Sequence, residues 1–186
     1  IELDVLARNK YDLRKVLAQF IKDLRGERET SQYSALFAAN AEDFQTSADL
    51  SIIFDEQSHA PNRPYSGAAK FNKHYFSLIG AFDSDEERDC ALHIDRHEKV
   101  RYWVRNIDRK RSSFWLQLPH GKFYPDFIAM LTDGRILVVE YKGEHLYEGE
   151  AVKRQIGAVW ADASNGHCLF CMPTARDFAL IDRILE

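Results

Sequence analysis

Three cysteines, five prolines, nine glycines and two methionines are all that this chain of 186 residues holds of those types. Three cysteines do not make the disulfide framework of a small secreted domain. The longest apolar runs, such as Ile136 to Val139, fall far short of the ~20 residues that span a bilayer. No signal peptide is legible, since the N-terminus reads IELDVLARNK and is charged from its second residue. No phosphate-binding GxxxxGK[ST] loop, GxSxG elbow, HExxH helix or EF-hand loop occurs, and neither does an internal repeat. A soluble chain in a reducing, cytoplasmic setting is the expectation. Ile1 stands where a complete protein would carry Met, which is expected of an excerpt or a processed chain.

What is present is bulk for a core. Twelve Phe, eight Tyr and three Trp in a sequence 45% hydrophobic support one domain, or one domain with a smaller appendage. The net charge is −4, but it is uneven. Between Arg96 and Arg111 seven basic residues (Arg96, Lys99, Arg101, Arg105, Arg109, Lys110, Arg111) face only Glu98 and Asp108. Such a stretch suits one wall steering a phosphate backbone, and equally an ordinary solvated surface.

Apolar spacings of three and four predict a helix over Leu3 to Arg25, with a second, short one from Ser31 to Ala39. Gln57 to Ala69 reads as a loop, and the aromatic stretch FNKHYFSLIGAF as a segment docking onto the domain after it. After Phe82 the texture changes. A helix is expected over Ser84 to Asp95, with a capping box at Ser84-Asp85-Glu86-Glu87. Strands are expected over Val100 to Arg105 and Ser113 to Leu118. Phe123 to Leu131 and Arg135 to Tyr141 read as a hairpin, turned at Asp133-Gly134. Then come a helix over Ala151 to Ala163, a strand over His167 to Met172 and a helix over Ala175 to Leu185. The expected organisation is a mainly helical connecting region over 1–80 and a mixed α/β domain over 81–186.

Three charged residues interrupt apolar strands: Asp126, Glu140 and Lys142. A charge in a buried strand needs a partner or a metal. Glu140 and Lys142 are two apart and share a strand face. Asp126 and Glu140 are about equally far from the Asp133-Gly134 turn, so pairing sets them side by side. Two carboxylates and a backbone carbonyl, that of Tyr141, suit Mg²⁺, and Lys142 can stabilise charge beside it. A structural salt bridge with no chemistry is the alternative that spacing leaves open.

Pro125-Asp126, thirteen residues, then Glu140-Tyr141-Lys142 resembles the PD-(D/E)XK nuclease motif. The order in which it sits is Glu87 to Asp95, then Tyr102-Trp-Val-Arg-Asn106, then Phe123-Tyr-Pro-Asp-Phe127. That order is similar to the C-terminal endonuclease domain of the restriction subunits of type III restriction enzymes, and to related DEAD/DEAH-type helicase-nucleases. The resemblance covers about 81 to 186. It implies a restriction-endonuclease-like core (helix, mixed β-sheet, helix, strand, helix) and an Mg²⁺-dependent endonuclease acting on double-stranded DNA, with Mn²⁺ as a substitute. Asp126 and Glu140 would be metal ligands and Lys142 the catalytic lysine. Glu87 would be an accessory ligand, a role it shares with its place in the capping box. Lys99, Arg101, Arg105, Arg109, Lys110 and Arg111, with Lys153 on the helix after the motif, are the candidate DNA contacts. ATP would enter only through a helicase motor absent from this sequence, and target choice through a methyltransferase partner. The alternatives are an inactive DNA-binding or interaction module of the same fold, and a free-standing repair or defence nuclease.

Cys168-Leu-Phe-Cys171 is a lone CxxC, short of the four thiolates a cluster needs. His93 and His97 have a zinc-compatible spacing without an evident further ligand, and His145 reads as a loop residue near the motif.

Overall fold

Ser84 starts a helix because its backbone is extended and its hydroxyl accepts a hydrogen bond from the Glu87 N–H at 3.1 Å. Three acidic residues fill the first turn, at the positive end of the helix. Glu87 departs from a reciprocal capping box by reaching one residue further, to the Asp83 N–H at 2.6 Å. The computed structural model describes residues 55–118, 121–143 and 150–186, with the isolated helical positions Gln19, Phe20, Ile21, Leu24, Arg28 and Ser31. Most of the expected N-terminal helices and all of His145 lie outside the described residues.

This first helix of the described unit is α1, Asp85–Arg96; after it come β1 (Val100–Arg105), β2 (Leu116–Gln117), β3 (Lys122–Phe123), β4 (Phe127–Leu131) and β5 (Ile136–Val139). Next are α2 (Ala151–Asp162), β6 (Cys168–Cys171) and α3 (Ala179–Leu185). The main sheet has the order β1-β4-β5-β6, antiparallel up to β5 and parallel between β5 and β6. The chain is therefore mixed α/β, and α2 lies in the crossover that a parallel step requires. Cys90, Ala91 and Ile94 of α1 and Ile181 and Leu185 of α3 bury one face with Phe127, Ala129, Leu137 and Val139. On the other face Ile156 of α2 meets Leu116 and Phe123, with Phe170 beside them. A Cβ at Gly157 would lie 2.4 Å from the Phe170 ring, so only glycine lets α2 lie this close to the sheet.

Three expectations need correction. Ser113 to Leu118 is no strand of the sheet: only Leu116–Gln117 is extended, paired with Lys122–Phe123 in a separate ribbon. The strand expected from Phe123 to Leu131 is broken at Tyr124-Pro125-Asp126, where Pro125 has no N–H to give a ladder. The last helix begins at Ala179, because Ala175 and Arg176 adopt positive φ (50° and 62°) in a preceding turn.

The aromatic segment before α1 closes the sheet edge. The Trp103 N–H donates to Lys73 O at 2.9 Å and the Tyr75 N–H to Trp103 O at 2.8 Å, while Phe71, Ile79 and Phe82 pack on the core. Residues 55–80 hold no helix and lie on the same unit as α1 and the sheet. Buried Asp95 fastens this lead-in by accepting from Asn72 N, Lys73 N and Trp103 Nε1 at 2.8–3.0 Å.

Candidate active site

The Asp133-Gly134 turn sets the site. Gly134 takes φ +89°, which the turn needs, and the resulting register pairs Phe127 with Val139. The next step along the ladder brings Asp126 beside Glu140. Asp126 is pinned from several directions. Its carbonyl accepts from the Asn106 N–H at 2.9 Å, and its Oδ2 accepts from the Tyr141 N–H at 2.8 Å. The Asn106 side chain donates to the carbonyls of Phe114 and Pro125 at 2.9 and 2.8 Å, clamping the break that presents Asp126.

Beyond β5 the chain stays extended, with the Lys142 N–H donating to Pro173 O at 3.1 Å. Glu140 and Lys142 therefore share a face, and Lys142 Nζ lies 2.8 Å from Glu140 Oε1. In extended backbone the N–H and C=O of one residue point the same way, so the Tyr141 carbonyl is on the Asp126 side. An open cleft of about 430 Å³ is lined by Asp126, Glu140, Lys142, Lys153 and Arg105 among others.

Burial and mutual repulsion govern the acids of the site. Burial, then the charge of Asp126, pushes the Glu140 carboxyl up to about 8 despite the adjacent ammonium. The same two causes push Glu87 up to about 7. Burial alone would lower Lys142; its hydrogen bond to Glu140 and the charges of Glu140, Glu150 and Asp126 outweigh that and raise it. Glu140 Oε2 is buried with no hydrogen-bond partner among the described residues. An unsatisfied buried carboxylate oxygen beside a second carboxylate and a carbonyl fits a hard divalent cation. No group of three His, Cys, Asp or Glu side chains among the described residues has metal-holding geometry. A metal here would rest on Asp126, Glu140 and the Tyr141 carbonyl.

Glu87 is in the cleft region but is already engaged: Oε1 lies 2.5 Å from Arg105 Nη2 and Oε2 accepts from Asp83 N. Arg105 is buried and bridges Glu87 and Asp126, which removes it from the set of surface DNA contacts. The rest of the basic segment does not form one wall. Lys99 donates to the Leu185 carbonyl at the C-terminus, and Lys110 to Asn62 Oδ1 at 2.5 Å. Arg109 sits in a turn at φ 58° beside Asp108, while Arg101 and Arg111 are exposed and do not line the cleft. Lys153 does line it, 2.7 Å from Glu150 and 3.7 Å from Glu140.

Sequence reasoning missed Arg63, Lys122 and Tyr124, which line the same cleft. Lys122 lies over the half-exposed Trp115 ring at 4.0 Å, on the β2–β3 ribbon. The Tyr124-Pro125-Asp126 break was the sequence signal for Lys122 and Tyr124, which flank Asp126; Arg63 comes from the lead-in segment and had none. His93 and His97 face Asp182 of α3, at 2.6 and 3.7 Å. The His97 Nδ1 also accepts from the Lys99 N–H, so the pair serves to join α1, β1 and α3. Cys90 and Cys171 are buried, and burial raises both thiols, Cys171 to about 12. No family model, curated protein or solved structure matches this chain.

Proposed function

We propose that this chain is an Mg²⁺-dependent DNA endonuclease domain with a restriction-endonuclease-like core, of the kind that ends the restriction subunit of a type III restriction enzyme. The observation that carries the reading is the meeting of Asp126, Glu140 and Lys142 in one cleft, with Glu140 Oε2 buried and unpartnered among the described residues. Asp126, Glu140 and the Tyr141 carbonyl would hold the ion. Bound Mg²⁺ supplies charge that activates water and stabilises the phosphodiester transition state.

The protein's own part is positional and electrostatic. Asn106 and the Tyr141 N–H fix Asp126, so its carboxylate does not rotate away. Lys142, held at 2.8 Å by Glu140, presents ammonium donors to the phosphoryl oxygens as negative charge builds on them. Lys122, Lys153 and Arg63 supply positive charge along the cleft for the phosphates of double-stranded DNA, which position the duplex without reading its sequence. A helicase motor and a methyltransferase subunit would supply the ATP-driven steps and target choice.

Titration calorimetry with Mn²⁺, using Asp126→Ala as control, tests the site. Binding by wild type that the variant loses is expected, together with Mg²⁺-dependent cleavage of plasmid DNA. The Arg105 guanidinium on Asp126 favours a second reading, an inactive DNA-binding module in which arginine and lysine neutralise the acids. DNA binding without Mn²⁺ binding or cleavage would select it.

A further inference from the structure

Arg105 is held at both its backbone and its guanidinium. Its backbone N–H donates to His74 Nε2 at 3.0 Å, and its carbonyl accepts from His59 Nε2 at 2.8 Å. His74 Nδ1 faces the Phe76 carbonyl at 2.8 Å. A carbonyl only accepts, so the two imidazoles are fixed in opposite tautomers, one donating to Arg105 and one accepting from it. Both belong to the lead-in segment. The guanidinium lies 5.8 and 5.4 Å from the Phe82 and Phe127 ring centroids. From there it reaches Glu87 Oε1 at 2.5 Å and Asp126 at both Oδ1 (3.2 Å) and the carbonyl (3.1 Å).

A buried arginine whose Nε has no hydrogen-bond partner among the described residues is costly to keep. Pairing two acids by itself explains neither the second acid's closeness to the metal candidates nor the two histidines devoted to this backbone. Asp126 turns Oδ1 to the guanidinium that also pairs with Glu87, while its Oδ2 accepts from the Tyr141 N–H next to Glu140. In two-ion sites a shared carboxylate carries a cation on each side. In this chain the Glu87–Asp126 side is already filled by a guanidinium.

We propose that Arg105 is a built-in second cation: the cleft takes one divalent ion, at Asp126 and Glu140, because a fixed guanidinium occupies the place between Glu87 and Asp126. This rests on the metal-site reading above. Arg105 is a positioning residue; it holds Asp126 for the ion and keeps Glu87 from being a ligand.

The test counts Mn²⁺ per folded chain by titration calorimetry and electron paramagnetic resonance, with circular dichroism to verify folding. Wild type should bind one ion. Arg105→Gln should bind one more than wild type, and Arg105→Gln combined with Glu87→Gln should lose the addition. Glu87→Gln alone preserves the side-chain shape and the acceptor for Asp83 N–H, and should leave the count at one. An unchanged count in Arg105→Gln overturns the proposal. So does loss of the wild-type ion in Glu87→Gln, a result that does not depend on how well the arginine variant folds. Wild type without an ion, or with one that survives Asp126→Ala, sinks the metal-site reading instead. The difference between Arg105→Gln and wild type still decides the role of Arg105 in that case.

Discussion

Asp95 and Glu140 are both buried acids beside the same sheet, 2% and 3% exposed, yet they do opposite things. Asp95 meets three N–H donors, two from the lead-in backbone and one from Trp103, so its charge is spread over hydrogen bonds and its surroundings are rigid. Glu140 meets an ammonium on one oxygen and nothing among the described residues on the other, with a second carboxylate nearby. A buried acid surrounded by donors joins elements together. A buried acid beside another acid leaves room for an incoming charge.

The strongest way to break this contrast is to truncate one acid or base on each side of it. Lys142→Ala or Asp126→Ala should lower DNA cleavage by roughly 10²–10³-fold or more, with a smaller loss of stability than Asp95→Ala causes. Asp95→Ala should do the reverse. It leaves three donors unpaired and should cost about 3 kcal/mol or more in urea denaturation, with the cleavage rate per folded molecule retained. Loss of folding in the first pair, or of chemistry alone in the second, would erase the distinction.

A smaller effect concerns pH. The Glu140 carboxyl moves from 4.5 to about 8 on folding, so the folded chain keeps a proton that the unfolded chain has released between those values. Without divalent metal, stability should therefore fall as pH rises from about 4.5 to about 8, with Glu87 adding to the slope up to about 7. Glu140→Gln should flatten that slope and be more stable than wild type at pH 8 in EDTA. Added Mn²⁺ should stabilise wild type increasingly as pH rises, because only the ionised carboxylate binds it. Denaturation curves across pH, with and without Mn²⁺, measure all of this.

The smallest effect separates the cleft rim from the remaining basic surface. Lys122→Ala should weaken DNA binding and reduce the slope of log K against log salt by about one. Arg101→Ala, exposed but away from the cleft, should leave the slope unchanged. Equal effects would restore the whole basic segment as a DNA wall.

Much of the fold was legible because its signals are local. The Ser84 cap, the apolar run of β1 and the Asp133-Gly134 turn each act within a few residues. The hairpin then places Asp126 against Glu140 by counting alone, since a strand repeats every two residues. What local pattern misread was the ribbon: Leu116 and Phe123 are as apolar as any strand residue, but they pack under α2 rather than in the sheet. Pro125 marked the break without showing where the flanking residues would go.

By itself the sequence determined the starts of α1 and α2, the turn, the antiparallel hairpin and the shared face of Glu140 and Lys142, since each stems from spacing and backbone sterics. Only the tertiary structure decided the fate of the charges. Arg105 lay in a run of basic residues that looked like surface, and what drew it inside was the presence of Glu87 and Asp126 from two other elements. The two histidines that hold it come from a segment far earlier in the chain; His74 reaches it across 31 residues of sequence by a single hydrogen bond of 3.0 Å. Whether a charge is solvated or buried depends on neighbours brought from far along the chain, and burial in turn sets what that charge can bind.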